Sequence, residues 1–188
     1  MENQEQILPK RQSIRLYEYD YSLEGLYFVT ICTQNRVCLF GEIINEKMVL
    51  NEMGKIAHEE WGKTPRLRKN IKIHEFIIMP NHMHGVIEIV DVGAYCIRPQ
   101  TPTGVCNTPL QQEQDNRFQS PAQTLGAIIR GYKSAVTRQI NELRGTRNIP
   151  IWQRNYYEHI IRNDESYQKI TEYIYENPNN RQTDYYYQ

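Results

Sequence analysis

Apolar residues recur along this chain with two different periods, and the switches between them mark out its elements. LYFVTICT (26–33) is dense in β-branched and aromatic side chains, which predicts a strand. FGEIINEKMVLN (40–51) divides into short extended pieces around a turn. Asn51 is placed to cap a helix reaching about Trp61, with Met53, Ile56, Ala57 and Trp61 on one stripe. IKIHEFIIMP (71–80) predicts a second strand ended by Pro80, and HMHGVIEIV (82–90) a third, the two pairing as an antiparallel hairpin around Met79-Pro80-Asn81. From 92 to 119 the periodicity disappears. Pro99, Pro102, Pro109 and a QQEQDNRFQ run predict a flexible loop there. Ser120-Pro121-Ala122-Gln123 has the form of a helix start: a capping hydroxyl, proline at the first helical position and glutamine three after the cap. Leu125, Ile128, Ile129, Tyr132, Val136, Ile140 and Leu143 follow at helical spacing, with Gly145 as the stop. IWQRNYYEHII (151–161) predicts a further strand and the loop before it. Asn163 caps a last helix with Asp164 and Glu165 in its first turn, and Pro178 ends it near Asn177. The tail from about 179 is expected to be loosely attached.

The order is strand, helix, strand, strand, helix, strand, helix. The first six elements fit an α+β, ferredoxin-like βαββαβ sandwich, an antiparallel sheet with helices on one face, followed by an additional C-terminal helix. A chain of 188 residues suits one such domain. Composition adds little beyond this. Lysine plus arginine equal aspartate plus glutamate at 22 each, so the whole chain carries no basic excess that would announce a nucleic-acid partner. Fourteen tyrosines supply much of the apolar surface and bring hydroxyls with it. Cys32, Cys38, Cys96 and Cys106 contain no C-x-x-C pair and read as reduced thiols of a cytoplasmic protein. The polar N-terminus has no secretory h-region, and no apolar run approaches the roughly 20 residues that span a bilayer.

Candidate chemistry starts at MPNHMHGVIEIV (79–90). Side chains alternate along a strand, so His82 and His84 project from one side, roughly 7 Å apart along the chain. Two imidazoles at that spacing can share one metal ion. They fall in phase with Val86 and Glu88, whereas Met83, Ile87 and Ile89 form the apolar set. On the last helix Tyr173 and Asn177 lie four residues apart, on one surface, beside a stripe of Tyr167, Ile170 and Ile174. An amide oxygen suits Mg²⁺ or Mn²⁺ and imidazole suits Mn²⁺ better, so a mixed site has open positions for water and a phosphate oxygen. A neighbouring phenol could then attack phosphorus. Tyr175 points to the other side of the helix from Asn177.

With these residues in view, MPNHMHGVIEI, GAIIRGYKSAVTRQIN, WQRNYYEHIIRNDESYQKITEYIYENP and the N-terminal YFVTICTQNR resemble the single-tyrosine HUH transposases. The resemblance is nearest to their REP-associated tyrosine transposase branch, and covers about residues 12–180 apart from the 92–119 loop. It implies His82, His84 and Asn177 as ligands of a divalent metal, Mg or Mn, and Tyr173 as nucleophile. Insertion-sequence members commonly have glutamine at the Asn177 position, which favours the REP-associated branch here. The implied activity is a transposase that nicks and rejoins single-stranded DNA at hairpin elements, leaving a 5′-phosphotyrosine and a free 3′-OH. The implied state is a monomer or a homodimer, with no membrane partner.

Regional charge fits such a substrate. Between 121 and 162, Arg130, Lys133, Arg138, Arg144, Arg147, Arg154 and Arg162 face only Glu142 and Glu158, a net charge of +5. Arg130, Lys133 and Arg138 lie off the apolar stripe of their helix and are candidate nucleic-acid contacts, with Arg15, Arg11 and Arg36 as further ones. Tyr156 and Tyr157 can stack unpaired bases, with at least one of them expected in the core. Two other functions fit part of this pattern. A non-cleaving hairpin-binding relative would use the same fold, and an RNA-binding ferredoxin-like domain would leave the histidine pair without a role.

Overall fold

The computed structural model describes residues 24–90 and 124–180, so the 92–119 segment, the end of the tail and Arg15 lie outside the described residues. β1 (Gly25–Cys32) is buried continuously from Tyr27 to Cys32, as expected for a strand covered on both faces. A 3-10 turn (Gln34–Arg36) leads into a small hairpin of β2 (Gly41–Ile44) and β3 (Lys47–Leu50). Asn45 and Glu46 at its tip have φ of 49° and 62°, the paired left-handed geometry that matches strand twist in a two-residue turn.

α1 (Glu52–Leu67) begins as expected, with Asn51 Oδ1 accepting the Gly54 amide at 2.9 Å. It runs on beyond Trp61 to Leu67. Buried Thr64, whose hydroxyl donates to the Glu60 carbonyl, carries the extension through polar residues that hydrophobic periodicity does not register. β4 (Ile71–Ile78) and β5 (His82–Ile89) form the predicted hairpin. α2 (Leu125–Leu143) is capped by Thr124, and the helix start expected at 120–123 lies outside the described residues. Thr124 Oγ1 accepts the Ala127 amide at 3.3 Å, and the wholly buried Leu125 sets where the helix starts. Leu143 is exposed at the far end, off the buried stripe. There Gly145 takes φ of 65°, and the Thr146 amide donates to the Asn141 carbonyl at 2.8 Å, a left-handed helix stop. β6 (Tyr157–Ile161) follows, then α3 (Asp164–Glu176), capped by Asn163 Oδ1 on the Ser166 amide at 2.8 Å.

The main sheet has the order β4-β5-β1-β6 with every neighbouring pair antiparallel, the ferredoxin-like arrangement. α1 and α2 cover one face. Trp61, Tyr132 and Val136 pack there with Tyr27, Val29, Ile31, Met83 and Ile87. A Cβ on Gly85 would come within 2.8 Å of Trp61 Cζ2, so glycine after His84 lets the indole close on the strand. α3 lies on the other face, where Ile174 joins a smaller cluster with Phe28, Val86 and Ile161. No helix among the described residues is long and apolar enough to cross a membrane.

Candidate active site

The α3 face carries the polar cluster. His82 and His84 alternate with Met83 along β5, which sends both rings away from the main core. Across β1 they stand opposite Cys32 and Thr30. Both imidazoles are fully buried, with ring centroids 4.6 Å apart. His82 Nδ1 lies 2.7 Å from Asn81 Oδ1, while the Asn81 amide NH₂ donates to the Arg36 carbonyl. That arrangement presents an acceptor to Nδ1, so Nδ1 carries the proton of the neutral ring and Nε2 the lone pair. His84 Nδ1 is 2.8 Å from Thr30 Oγ1, and its ring stacks on Phe28 with centroids 5.4 Å apart. Both rings are therefore fixed at Nδ1, the condition under which a histidine presents Nε2 to a ligand.

From the opposite wall α3 brings Tyr173. Its hydroxyl lies 3.2 Å from His84 Nε2, across 89 residues of sequence. Tyr173 as a residue remains 41% exposed. One turn further, at the helix C-cap, Asn177 is buried at 1% exposure. Neither its amide oxygen nor its nitrogen has a hydrogen-bond partner among the described residues. A buried amide left without partners costs about 1–3 kcal/mol, so a water or a ligand bound there would be stabilising. Tyr175 is 84% exposed and does not share this environment.

Among the described residues no group of three or more His, Cys, Asp or Glu side chains is arranged to hold a metal ion. The donor set here is different in kind: two imidazoles and one amide. Residues of these types could hold a six-coordinate divalent cation with open positions, and the Asn177 amide, without a hydrogen-bond partner among the described residues, is compatible with that role.

A second polar group holds α3 in place, and sequence reading missed it. The Tyr167 hydroxyl donates to Glu75 Oε2 at 2.7 Å and lies 3.1 Å from His74 Nδ1. His74 Nε2 in turn is 3.0 Å from Glu88 Oε2. The Glu75 carboxyl is held below its ordinary pKa by the Tyr167 hydrogen bond, and Glu88 below its own by His74. His74 and Glu75 are adjacent, so alternation assigns them to opposite faces. A β-bulge between Ile73 and Phe76 breaks that alternation and brings both to α3. An aromatic with two polar neighbours in an otherwise apolar strand was the signal available.

The predicted basic contacts stand elsewhere. Arg130, Lys133 and Arg138 are on α2, across the sheet from Tyr173. Arg130 and Arg138 are exposed, and Arg138 pairs with Glu142 at 3.5 Å. Lys133 turns inward. Its ammonium donates to the carbonyls of Gln153 and Asn155 at 2.9 Å each and stands over the Tyr156 ring, and burial draws its pKa down to about 8. Tyr156 packs against the core and Tyr157 is exposed on the α3 face.

No family model matches the chain. Among solved structures it is similar to a REP-associated tyrosine transposase bound to a REP hairpin, at 21% identity over 88% of this chain and 73% of that one, with a TM-score of 0.47. It is also similar to a candidate transposase from Deinococcus radiodurans R1, at 13% identity over 88% and 96% of the two chains, with a TM-score of 0.41. An uncharacterised protein of Haemophilus influenzae (strain Rd) is 44% identical over 169 residues, 89% of this chain and 88% of that one. Identity at that level along nearly the whole of both chains means that this protein belongs to the same family as the Haemophilus influenzae protein.

Proposed function

We propose that the protein is a single-strand DNA nickase and strand transferase of the HUH transposase type, acting through Tyr173 on hairpin-bearing DNA. The observation that carries this reading is the Tyr173–His84 contact, which joins an exposed phenol to a buried histidine pair anchored at both Nδ1 atoms. Without a cation the phenol oxygen rests against His84 Nε2; a cation bound there would take that lone pair and leave the phenol free to approach a phosphodiester from the exposed side of the residue. Tyr173 Oη forms a bond to phosphorus as the P–O3′ bond breaks. The phenol proton ends on the departing oxygen, giving a free 3′-OH and a 5′-phosphotyrosine. Attack by a 3′-OH on that phosphotyrosine reverses the step and rejoins a strand. His82, His84 and Asn177 would hold a divalent cation, Mg or Mn, which when bound polarises the phosphoryl oxygen and stabilises the charge that develops there.

The test is covalent capture of a labelled single-stranded hairpin oligonucleotide in the presence of Mn²⁺, read on a denaturing gel. Wild type and Tyr175→Phe are expected to form the adduct, and Tyr173→Phe to form none. An adduct in Tyr173→Phe would refute the nucleophile assignment. Persistence of the wild-type adduct in EDTA would remove the metal. Binding alone, with no adduct under any condition, would instead identify a non-cleaving hairpin-binding protein. Calorimetry gives a readout independent of activity. The single Nε2 lone pair of His84 cannot serve a cation and the phenol together, so Tyr173→Phe is expected to bind Mn²⁺ at least as tightly as wild type.

A further inference from the structure

A concentration of positive charge lies outside the Tyr173 cluster. Between the C-terminal half of α2 and the segment that follows it, a cleft of about 950 Å³ is bordered by Arg138, Arg147 and Arg154, with Ser134 and Thr137 among them. One carboxylate, Glu142, borders it, and that group is engaged by Arg138. Arg147 and Arg154 make no ion pair among the described residues.

Both walls are fixed. Buried Asn141 ties the turn after α2 to the helix: its NH₂ donates to the carbonyls of Thr137 and Ile149 at 2.9 Å, and its Oδ1 accepts the Thr146 hydroxyl at 2.7 Å. On the other wall, the Lys133 ammonium holds the carbonyls of residues 153 and 155. A cleft built this way presents its guanidinium groups without ordering a loop at the moment of binding.

Its position relative to the nucleophile is equally specific. The Gln153 amide donates to the Cys32 carbonyl, so the cleft adjoins the end of the sheet where β1 stops and β5 begins at His82. From Arg154 the chain leads within three residues to Tyr157, the first residue of edge strand β6. Tyr157 stands in the same cross-strand row as Thr30 and His84. Its exposed ring meets Phe28 edge-on at 6.4 Å, and Phe28 stacks on His84. An exposed aromatic thus bridges the cleft and the nucleophile around the edge of the sheet.

We propose that this cleft binds the phosphodiester backbone of a single DNA strand, which passes over Tyr157 on its way to Tyr173. A groove bordered by arginines and leading to an exposed aromatic ring is the arrangement that binds single strands with little sequence preference. Guanidinium forks suit phosphate oxygens in pairs. The proposal rests on the nickase reading for its direction, toward Tyr173, but its test needs no cleavage.

Binding is measured by fluorescence anisotropy in the Tyr173→Phe background, with a labelled oligothymidylate of about 16 nucleotides and a blunt hairpin without flanks as probes. Replacing both Arg147 and Arg154 by glutamine is expected to weaken oligothymidylate binding about tenfold and to reduce the log–log salt slope by about 1.4. The blunt hairpin is expected to bind as before. Tyr157→Leu is expected to lower oligothymidylate affinity several-fold with the salt slope intact, because stacking carries no counterions. Unchanged affinity and slope in the double variant would overturn the cleft. An equal loss on the blunt hairpin would assign the arginines to duplex and overturn the single-strand path, and tighter binding of oligouridylate through the same arginines would overturn the DNA assignment. Failure of the covalent adduct in wild type with oligothymidylate binding intact would remove the nickase reading and leave the cleft standing.

Discussion

The two faces of the sheet are built on opposite principles. The α1/α2 face is an apolar interior in which α2 alone buries eight residues. The α3 face buries a single residue of its helix, Ile174, and sets beside it two imidazoles, Thr30 and the Asn177 amide. One face contributes most of the stability. The other buries a smaller apolar cluster and holds the Asn177 amide, which has no hydrogen-bond partner among the described residues and is unfavourable there unless something binds. The α3 helix is accordingly fastened by the polar clasp of Tyr167 to Glu75 and His74 as much as by hydrophobic contact.

The contrast can be broken first in the core. Trp61→Ala is expected to cost about 3–5 kcal/mol, because it empties a fully buried site against Gly85 and Phe76. Ile174→Ala on the other face is expected to cost only about 2 kcal/mol, in a small cluster that can relax. Chemical denaturation of both variants measures the difference, and equal losses would mean that the faces do not divide the work. Asn177→Leu sharpens the comparison with an opposite sign. It replaces a partnerless buried amide by an apolar group of similar size, and is expected to raise stability by about 1 kcal/mol while abolishing Mn²⁺ binding and adduct formation. A marked loss of stability there would show that the amide is a structural group after all.

The smallest effect belongs to the clasp. Tyr167→Phe is expected to cost about 0.5–1.5 kcal/mol and to speed amide hydrogen exchange in α3 more than in α2. The clasp also carries a pH signature. Glu75 and Glu88 are held below their ordinary pKa of 4.5 in the folded protein, so their stabilising effect is complete above that pH and is lost as pH falls through the lowered values. The protection of α3 amides against hydrogen exchange should therefore fall in acid before that of α2. An identical pH response in Tyr167→Phe and wild type would show that the phenol is not the source of the Glu75 shift.

Much of this was legible before any coordinates. Period-two alternation in HMHGVIEI assigned the histidines to one face and Met83, Ile87 and Ile89 to the other, and the structure agrees residue by residue. Helical spacing grouped Tyr173 with Asn177 and set Tyr175 apart. The helix-start signal at Ser120 lies outside the described residues, and α2 as described begins after its Thr124 cap with Leu125 buried. Lys133, a candidate nucleic-acid contact by its place off the apolar stripe, is drawn inward by carbonyls that only the return of the 153–155 segment supplies.

The chain by itself determined what short-range physics can determine: which residues share a face, where helices are capped, and which residue types are suited to metal and phosphate chemistry. It could not state that β5 and α3 would meet. That meeting depends on the β4-β5-β1-β6 order, on the bulge at 74–75 that turns two consecutive side chains toward one helix, and on the packing of Ile174. Contacts such as Tyr173 to His84 span 89 residues, and their formation is settled by how whole elements bury their apolar faces, a property of the assembled fold that no local window of sequence contains.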